Sequence, residues 1–319
     1  MQKMRVAILD DYQKVATSLA DWSGLSGDVE VEIFQDHIDD EGVVSQRLKD
    51  FEIICIMRER TPFMRSLIER LPNLKLLVTS GMRNRSIDLA AAKERSVTVC
   101  GTPAAGVATA ELTWGLIIGL LRHIPEEDRA TRLGAWQRTL GVGLSGKTLG
   151  IAGLGRLGSR VARVGLAFGM EVIAWSQNLT EERCKEVDVS LVTKKELLTR
   201  SDVLSIHLVL SDRTRGLFGA PELALMKPTA ILVNTSRGPI VDEAALVDVL
   251  ERKAIAGAGL DAFATEPLPL DHPFRRLENT VITPHLGYVE EENYQAYFNG
   301  YVDAVRGYLE GKPVNVIPD

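Results

Sequence analysis

Short apolar runs alternate with longer polar stretches along the first hundred residues. VAIL (6–9), VEIF (31–34), IICIM (53–57) and LKLLVT (74–79) are rich in Ile, Leu and Val and too short for helices, so each predicts a buried strand. Between them lie segments such as PFMRSLIERL (62–71), with proline in its first turn and apolar residues at helical spacing. Such alternation predicts a parallel sheet covered by helices on both faces.

The pattern changes at residue 102. The segment 102–124 predicts a long helix that is apolar around most of its circumference, and a second helix is expected over about 126–137. A turn then leads into a new alternating series, with strands expected at TLGIAG (148–153), EVIAW (171–175), VLSIHL (203–208), AILVN (230–234), GAGLDAF (257–263) and TVITPH (280–285). One more amphipathic helix is expected to about residue 308, followed by the short segment GKPVNVIPD (311–319). The pattern therefore implies two α/β units divided near residue 100. The final helix either closes the second unit or packs back on the first, and periodicity does not choose between them.

Composition narrows the class without changing this picture. A chain of 319 residues fits two domains, and 45% hydrophobic with 25% charged residues are ordinary globular values. The formal net charge of −6 argues against nucleic acid as a partner. The three cysteines, Cys55, Cys100 and Cys184, form no CxxC pair and point to a reducing, cytoplasmic setting. The first residues do not read as a signal peptide, and the most apolar stretch, 112–121, is too short to span a bilayer. No metal-ligand spacing is present, and no regulatory module is expected after the last helix.

Candidate chemistry collects at the ends of the predicted strands. Gly153, Gly155 and Gly158 form GLGRLG between the strand TLGIA and a following helix, the context in which this loop binds a pyrophosphate. Gly153 permits the tight turn, Gly155 the approach of phosphate to the backbone, and Gly158 close helix–strand packing. Where an acid usually selects the NAD ribose, the chain has Ser176, then Gln177 and Asn178; Arg183 and Lys185 lie further on. NAD and NADP both remain open as cofactor. Arg237 follows AILVNTS, Asp261 ends GAGLD, Glu266 comes five residues later and His285 follows TVITP. Ligands of open parallel sheets bind beyond the carboxyl ends of the strands, and all four residues fall there. Arginine can grip a carboxylate through two hydrogen bonds, and a histidine backed by an acid can exchange a proton near neutral pH. His207 also ends a strand and is a cofactor-side candidate, whereas His37, His123 and His272 read as surface residues.

Six ordered segments make a stronger signal than any one motif: GTPAAGVATAELTWGLIIGLLR, GLSGKTLGIAGLGRLG, LSDRTRG, MKPTAILVNTSRGPIVDEAAL, AGAGLDAFATEPLP and NTVITPHLGY. Together they resemble the D-isomer-specific 2-hydroxyacid dehydrogenase family. The resemblance implies an α/β protein of two doubly wound parallel-sheet domains with an inter-domain cleft. Residues 1–100 plus 289–319 would form a discontinuous substrate domain, and 101–288 a Rossmann-type cofactor domain. It implies an NAD(P)-dependent oxidoreductase in which Arg237, Glu266 and His285 are catalytic and Arg237 also holds substrate. Arg156, Leu157, Thr235, Ser236, Asp261, Gly287 and Thr109 would line the cofactor with the three glycines, Ser176 and His207. Arg58, Gly81 and Met82 are the remaining substrate-side candidates, with Gly81 and Met82 offering backbone N–H groups. In the first domain SGMRNRSID stands in place of the family's usual GxGxDNID. Expected partners are a small 2-oxo or 2-hydroxy acid and a second copy of the chain, with the helix over 111–121 as a candidate dimer element; no membrane partner is expected. The same resemblance leaves room for a cofactor-sensing binding protein without turnover, or a formate- or phosphite-type dehydrogenase.

Overall fold

The computed structural model describes residues 3–104 and 106–318. The chain divides into two compact units, Met1–Gly106 with Glu290–Asp319, and Val107–Val289. Both are α/β, and every pairing between strands of their sheets is parallel.

The first unit holds β1 (Met4–Ile8), β2 (Val29–Ile33), β3 (Ile53–Ile56), β4 (Leu76–Thr79) and β5 (Thr98–Gly101), in the order β2-β1-β3-β4-β5. This is a doubly wound sheet whose strand order reverses between β1 and β3. β5 is absent from the strands expected by pattern, because its four residues TVCG carry only one branched apolar side chain. Residues 315–317 cover its free edge: Gly101 N–H donates to Asn315 O, and Ile317 N–H to Val99 O. The helix Glu291–Leu309 belongs to this unit and packs on β4 and β5, with the buried Tyr301 hydroxyl donating to Ile56 O at 2.8 Å.

The second unit holds β6 (Thr148–Ala152), β7 (Glu171–Trp175), β8 (Ser190–Leu191), β9 (Val203–Ile206), β10 (Ile231–Asn234), β11 (Gly257–Leu260) and β12 (Thr280–Ile282). Their order is β12-β11-β10-β9-β6-β7-β8. The order reverses between β6 and β9, and the glycine loop follows β6 at that point. Both faces are buried: Ile231 and Val233 enter one apolar cluster, and Leu232 between them enters the other. β8 escaped the pattern because it is a two-residue, exposed edge strand.

Two expected helices are shorter than the pattern suggests. The first spans Ala108–Leu121, so Thr102 and Pro103 lie outside it. The second spans Ile124–Arg132 and stops in a Schellman turn. Gly134 adopts φ +87°, Gly134 N–H donates to Thr131 O and Ala135 N–H to Ala130 O. The first helix packs on β10, β11, β12 and the helix Arg156–Ala167. Trp114, Leu116, Ile117 and Leu121 are buried there, while Leu112, Ile118 and Leu120 are only partly buried.

Candidate active site

The site in the second unit is built on the carboxyl ends of its strands. After β6 the chain turns at Gly153, whose φ of +101° disfavours other residues. A Cβ there would lie 2.6 Å from His207 O. At Gly158 it would lie 2.1 Å from Gly153 O, so this position lets the helix Arg156–Ala167 sit against the loop. Gly155 differs from both. Nothing lies within 4 Å of the position its Cβ would take, and the residue is exposed. The protein itself does not demand glycine there, but an approaching phosphate would. The helix starting at Arg156 has no side-chain cap, and its N-terminal end carries the positive pole of the helix dipole. This combination of open cradle and uncapped helix fits the pyrophosphate of a dinucleotide.

Ser176 lies one residue beyond Trp175, whose carbonyl accepts the Gly153 N–H at 2.9 Å, so it stands beside the loop. His207 lies across the switch point. Its N–H donates to Ala152 O at 2.8 Å, and its Nε2 is 2.8 Å from Ser205 Oγ. Burial pushes the imidazole down to about 4, so it is neutral at neutral pH.

At the ends of β10, β11 and β12 the other candidates form a connected set. Asn234 holds the turn after β10, its amide donating to Arg237 O and its carbonyl accepting from Ser236 N–H. Ser236 Oγ donates to Ile206 O, and Arg237 Nη1 donates to Ser236 O at 2.8 Å. Gly238 lies directly on the Phe263 backbone, where a Cβ would come within 2.1 Å. Phe263 N–H in turn donates to Glu266 Oε1 at 2.9 Å. The other carboxylate oxygen, Glu266 Oε2, lies 2.6 Å from His285 Nδ1. Adjacent backbone contacts thus link the arginine turn to the acid and the histidine.

Asp261 is 1% exposed and accepts from Thr283 Oγ1, Leu286 N–H and Gly287 N–H at 2.6–2.8 Å. Burial pushes its carboxyl above the usual range, and these hydrogen bonds with the nearby His285 charge pull against that. Gly287 O accepts from Thr109 Oγ1 at 2.6 Å, and the Thr235 and Thr113 hydroxyls lie 2.8 Å apart. Thr109 and Thr235 are therefore joined to the strand-end shell, whereas Arg156 and Leu157 open the loop helix. Asp261 fixes the turn that presents His285. That histidine has φ +54°, a left-handed conformation uncommon for a side-chain-bearing residue, and its N–H donates to Thr283 O.

The first unit carries the remaining candidates at the ends of β3 and β4. Arg58 has φ +52°; its N–H donates to Ser80 Oγ at 2.7 Å and its Nη1 to Ser80 O at 3.1 Å. Gly81 leaves room for that guanidinium, since a Cβ would lie 2.1 Å from Arg58 Nη1. The expectation that Gly81 offers its N–H to a ligand is corrected: that N–H donates to Thr102 Oγ1 at 3.0 Å. Met82 is exposed, and its N–H makes no hydrogen bond among the described residues. The surface reading of His37 and His272 also fails. Each is mostly buried and paired with a carboxylate, Asp10 and Glu243 respectively.

Sequence reasoning missed Asn234, which holds the backbone of the arginine turn, and Ser205, Thr283 and Thr113, which hold the side chains of His207, Asp261 and Thr235. It set Arg183 aside as too far along the chain, yet the fold returns it to the glycine loop, with Nε donating to Leu154 O and Nη2 to Ser159 Oγ. Among the described residues no group of three or more His, Cys, Asp or Glu side chains is arranged to hold a metal.

The family model described as D-isomer specific 2-hydroxyacid dehydrogenase, NAD binding domain, matches residues 114–287. A glyoxylate reductase of Aeropyrum pernix is 46% identical over 231 residues, which are 69% of this chain and 68% of that protein. A hydroxypyruvate reductase of Blautia hydrogenotrophica is 30% identical over 328 residues, covering 98% of this chain and 99% of the relative. Among solved structures, a phosphoglycerate oxidoreductase from Vibrio cholerae o395 is 38% identical with a TM-score of 0.92, over 97% of this chain and 99% of that one.

Proposed function

The chain belongs to the D-isomer-specific 2-hydroxyacid dehydrogenase family, a family of nicotinamide-dependent oxidoreductases, and on that footing we propose that it reduces a small 2-oxo acid to the D-2-hydroxy acid through Arg237, Glu266 and His285. The observation that carries this reading is the 2.6 Å contact between Glu266 Oε2 and His285 Nδ1. The carboxylate accepts, so Nδ1 keeps its proton and Nε2 is left as the nitrogen that exchanges one with substrate.

A reduced nicotinamide, when bound, supplies the hydride. The protein's own part begins with Arg237, whose guanidinium fork pairs with the substrate carboxylate and sets the carbonyl in position. His285 donates the Nε2 proton to the carbonyl oxygen as it becomes a hydroxyl. Glu266 stabilises the imidazolium before that step and holds the ring in place after it. In the oxidative direction His285 takes the hydroxyl proton. Gly153, Gly155 and Gly158, with Arg156 and Leu157 at the helix start, hold the dinucleotide phosphates; Asp261, Gly287, Thr235, Ser236 and Thr109 form the strand-end shell beside them; Ser176 and His207 flank the loop.

The relatives' names point to glyoxylate and hydroxypyruvate as substrates. The test is oxidation of NADH and NADPH with glyoxylate, hydroxypyruvate and pyruvate. Turnover of at least one of them supports the reading, and dinucleotide binding without turnover on any would replace it with a binding role.

The protein acts as a homodimer in this reading. Beyond Gly134, Trp136 and Leu140 are 77% and 93% exposed on a segment held by Thr139, whose N–H and hydroxyl both donate to Glu127. Large apolar side chains held out by a fixed segment suit a second copy of the chain. The three cysteines are buried and free, in keeping with a cytoplasmic setting.

A further inference from the structure

The glycine loop has a cation fixed against it and no acid where one would select NAD. From this geometry we infer that the adenosine end of the site prefers a 2′-phosphorylated dinucleotide, NADPH over NADH, with Arg183 as the phosphate-binding cation beside the neutral Ser176. The inference rests on the dinucleotide site proposed above and names which form of cofactor it takes.

Three observations carry it. First, Ser176 is placed beside the loop by the Gly153 N–H to Trp175 O hydrogen bond, and Gln177 and Asn178 after it are also uncharged. An aspartate or glutamate at this strand end would hold the ribose 2′-hydroxyl and repel a 2′-phosphate. Serine removes the repulsion and keeps a hydrogen-bonding group.

Second, Arg183 is held in place. Its Nε donates to Leu154 O at 3.3 Å and its Nη2 to Ser159 Oγ at 2.8 Å, which ties the guanidinium to the loop and to the first turn of the helix behind it. Ser159 is 3% exposed, so the anchoring side is buried. Nη1 pairs with Glu186. Both members of that ion pair are substantially solvent-exposed, so it is weak, and a dianionic phosphate can displace the carboxylate.

Third, the glycine loop and the helix after it are cationic, although Arg183's own helix carries Glu181, Glu182 and the cap residue Glu186. From 153 to 170 the chain carries Arg156, Arg160 and Arg163 and no Asp or Glu. No carboxylate on the loop or its helix opposes an added phosphate.

The test measures equilibrium binding and requires no turnover. Adenosine 2′,5′-bisphosphate and adenosine 5′-monophosphate are titrated into the full-length protein by calorimetry, and NADPH and NADH likewise. The expected result is at least tenfold tighter binding of the bisphosphate, and of NADPH over NADH. Arg183→Gln should remove most of that preference by weakening the bisphosphate much more than the monophosphate. Ser176→Asp, which leaves the Arg183 anchor intact, should reverse the preference in favour of NADH. Equal or tighter binding of the monophosphate by the unaltered protein would overturn the inference and leave the dinucleotide site standing. So would an Arg183→Gln variant that loses both ligands equally, since Arg183 would then serve only to brace the loop. If neither adenosine nucleotide binds, the dinucleotide site falls and the preference with it.

Discussion

Glu266 and His285 face each other across 2.6 Å, and each is fixed from behind: Glu266 by the Phe263 N–H, His285 by a left-handed backbone turn closed on Thr283 O. Glu266→Gln keeps the shape and removes the negative charge. It should lower kcat for 2-oxo acid reduction by about 10-fold or more, since a positioned general acid contributes roughly 10²–10⁴-fold. Dinucleotide affinity should be unchanged. Steady-state kinetics with calorimetric cofactor titration checks both parts; an unaltered kcat would remove Glu266 from the mechanism.

The three loop glycines should separate cleanly on substitution. Gly158→Ala drives a methyl to within 2.1 Å of the Gly153 carbonyl and should cost about 1–3 kcal/mol of stability. Gly155→Ala meets only open space, so its melting temperature should stay near that of the unaltered protein, while dinucleotide affinity falls at least tenfold. A Gly155→Ala protein that binds dinucleotide normally would show that no phosphate approaches there.

Two histidines should tilt stability in opposite directions with pH. His37 is raised above its usual 6.5, chiefly by its hydrogen bond to Asp10. Its contribution is therefore complete below about pH 6.5 and is lost as pH rises through the folded value. His207 is lowered to about 4 by burial. Its unfolded form takes up a proton first, so stability is lost as pH falls from about 6.5 toward 4. Urea unfolding of His37→Gln should lose part of the alkaline decline, and His207→Gln part of the acid decline. Either variant with the parent's profile would contradict its assignment.

The exposed apolar segment gives a prediction about assembly. Trp136→Glu with Leu140→Glu should shift a dimer to monomer in light scattering and leave the melting temperature of dilute protein within a few degrees. Both side chains are almost wholly outside the core of their own unit. A double variant that remains dimeric would place the interface elsewhere.

Much of this architecture was legible because buried parallel strands read as continuous apolar runs, as in IICIM and AILVN, and because loop glycines and strand-end polar residues occupy fixed offsets from them. The failures have identifiable causes. β5 and β8 carry too few apolar residues to stand out. The helix ending at Arg132 was read too long because apolar periodicity continues past Gly134, whose left-handed turn ends it. Gly81 looked like an anion-binding amide because sequence shows a glycine and not the Thr102 hydroxyl that takes its N–H. His37 and His272 looked like surface residues because their partners, Asp10 and Glu243, are 27 and 29 positions away. Arg183 was out of range for the same reason: its contacts with Leu154 and Ser159 are created by folding.

The most direct test of the central claim is the rate of 2-oxo acid reduction by His285→Ala, measured beside its dinucleotide affinity. The account predicts that reduction of the best substrate among glyoxylate, hydroxypyruvate and pyruvate falls by roughly 10²–10⁴-fold while the dinucleotide still binds normally. A variant that reduces the same acid at the parent's rate would contradict it.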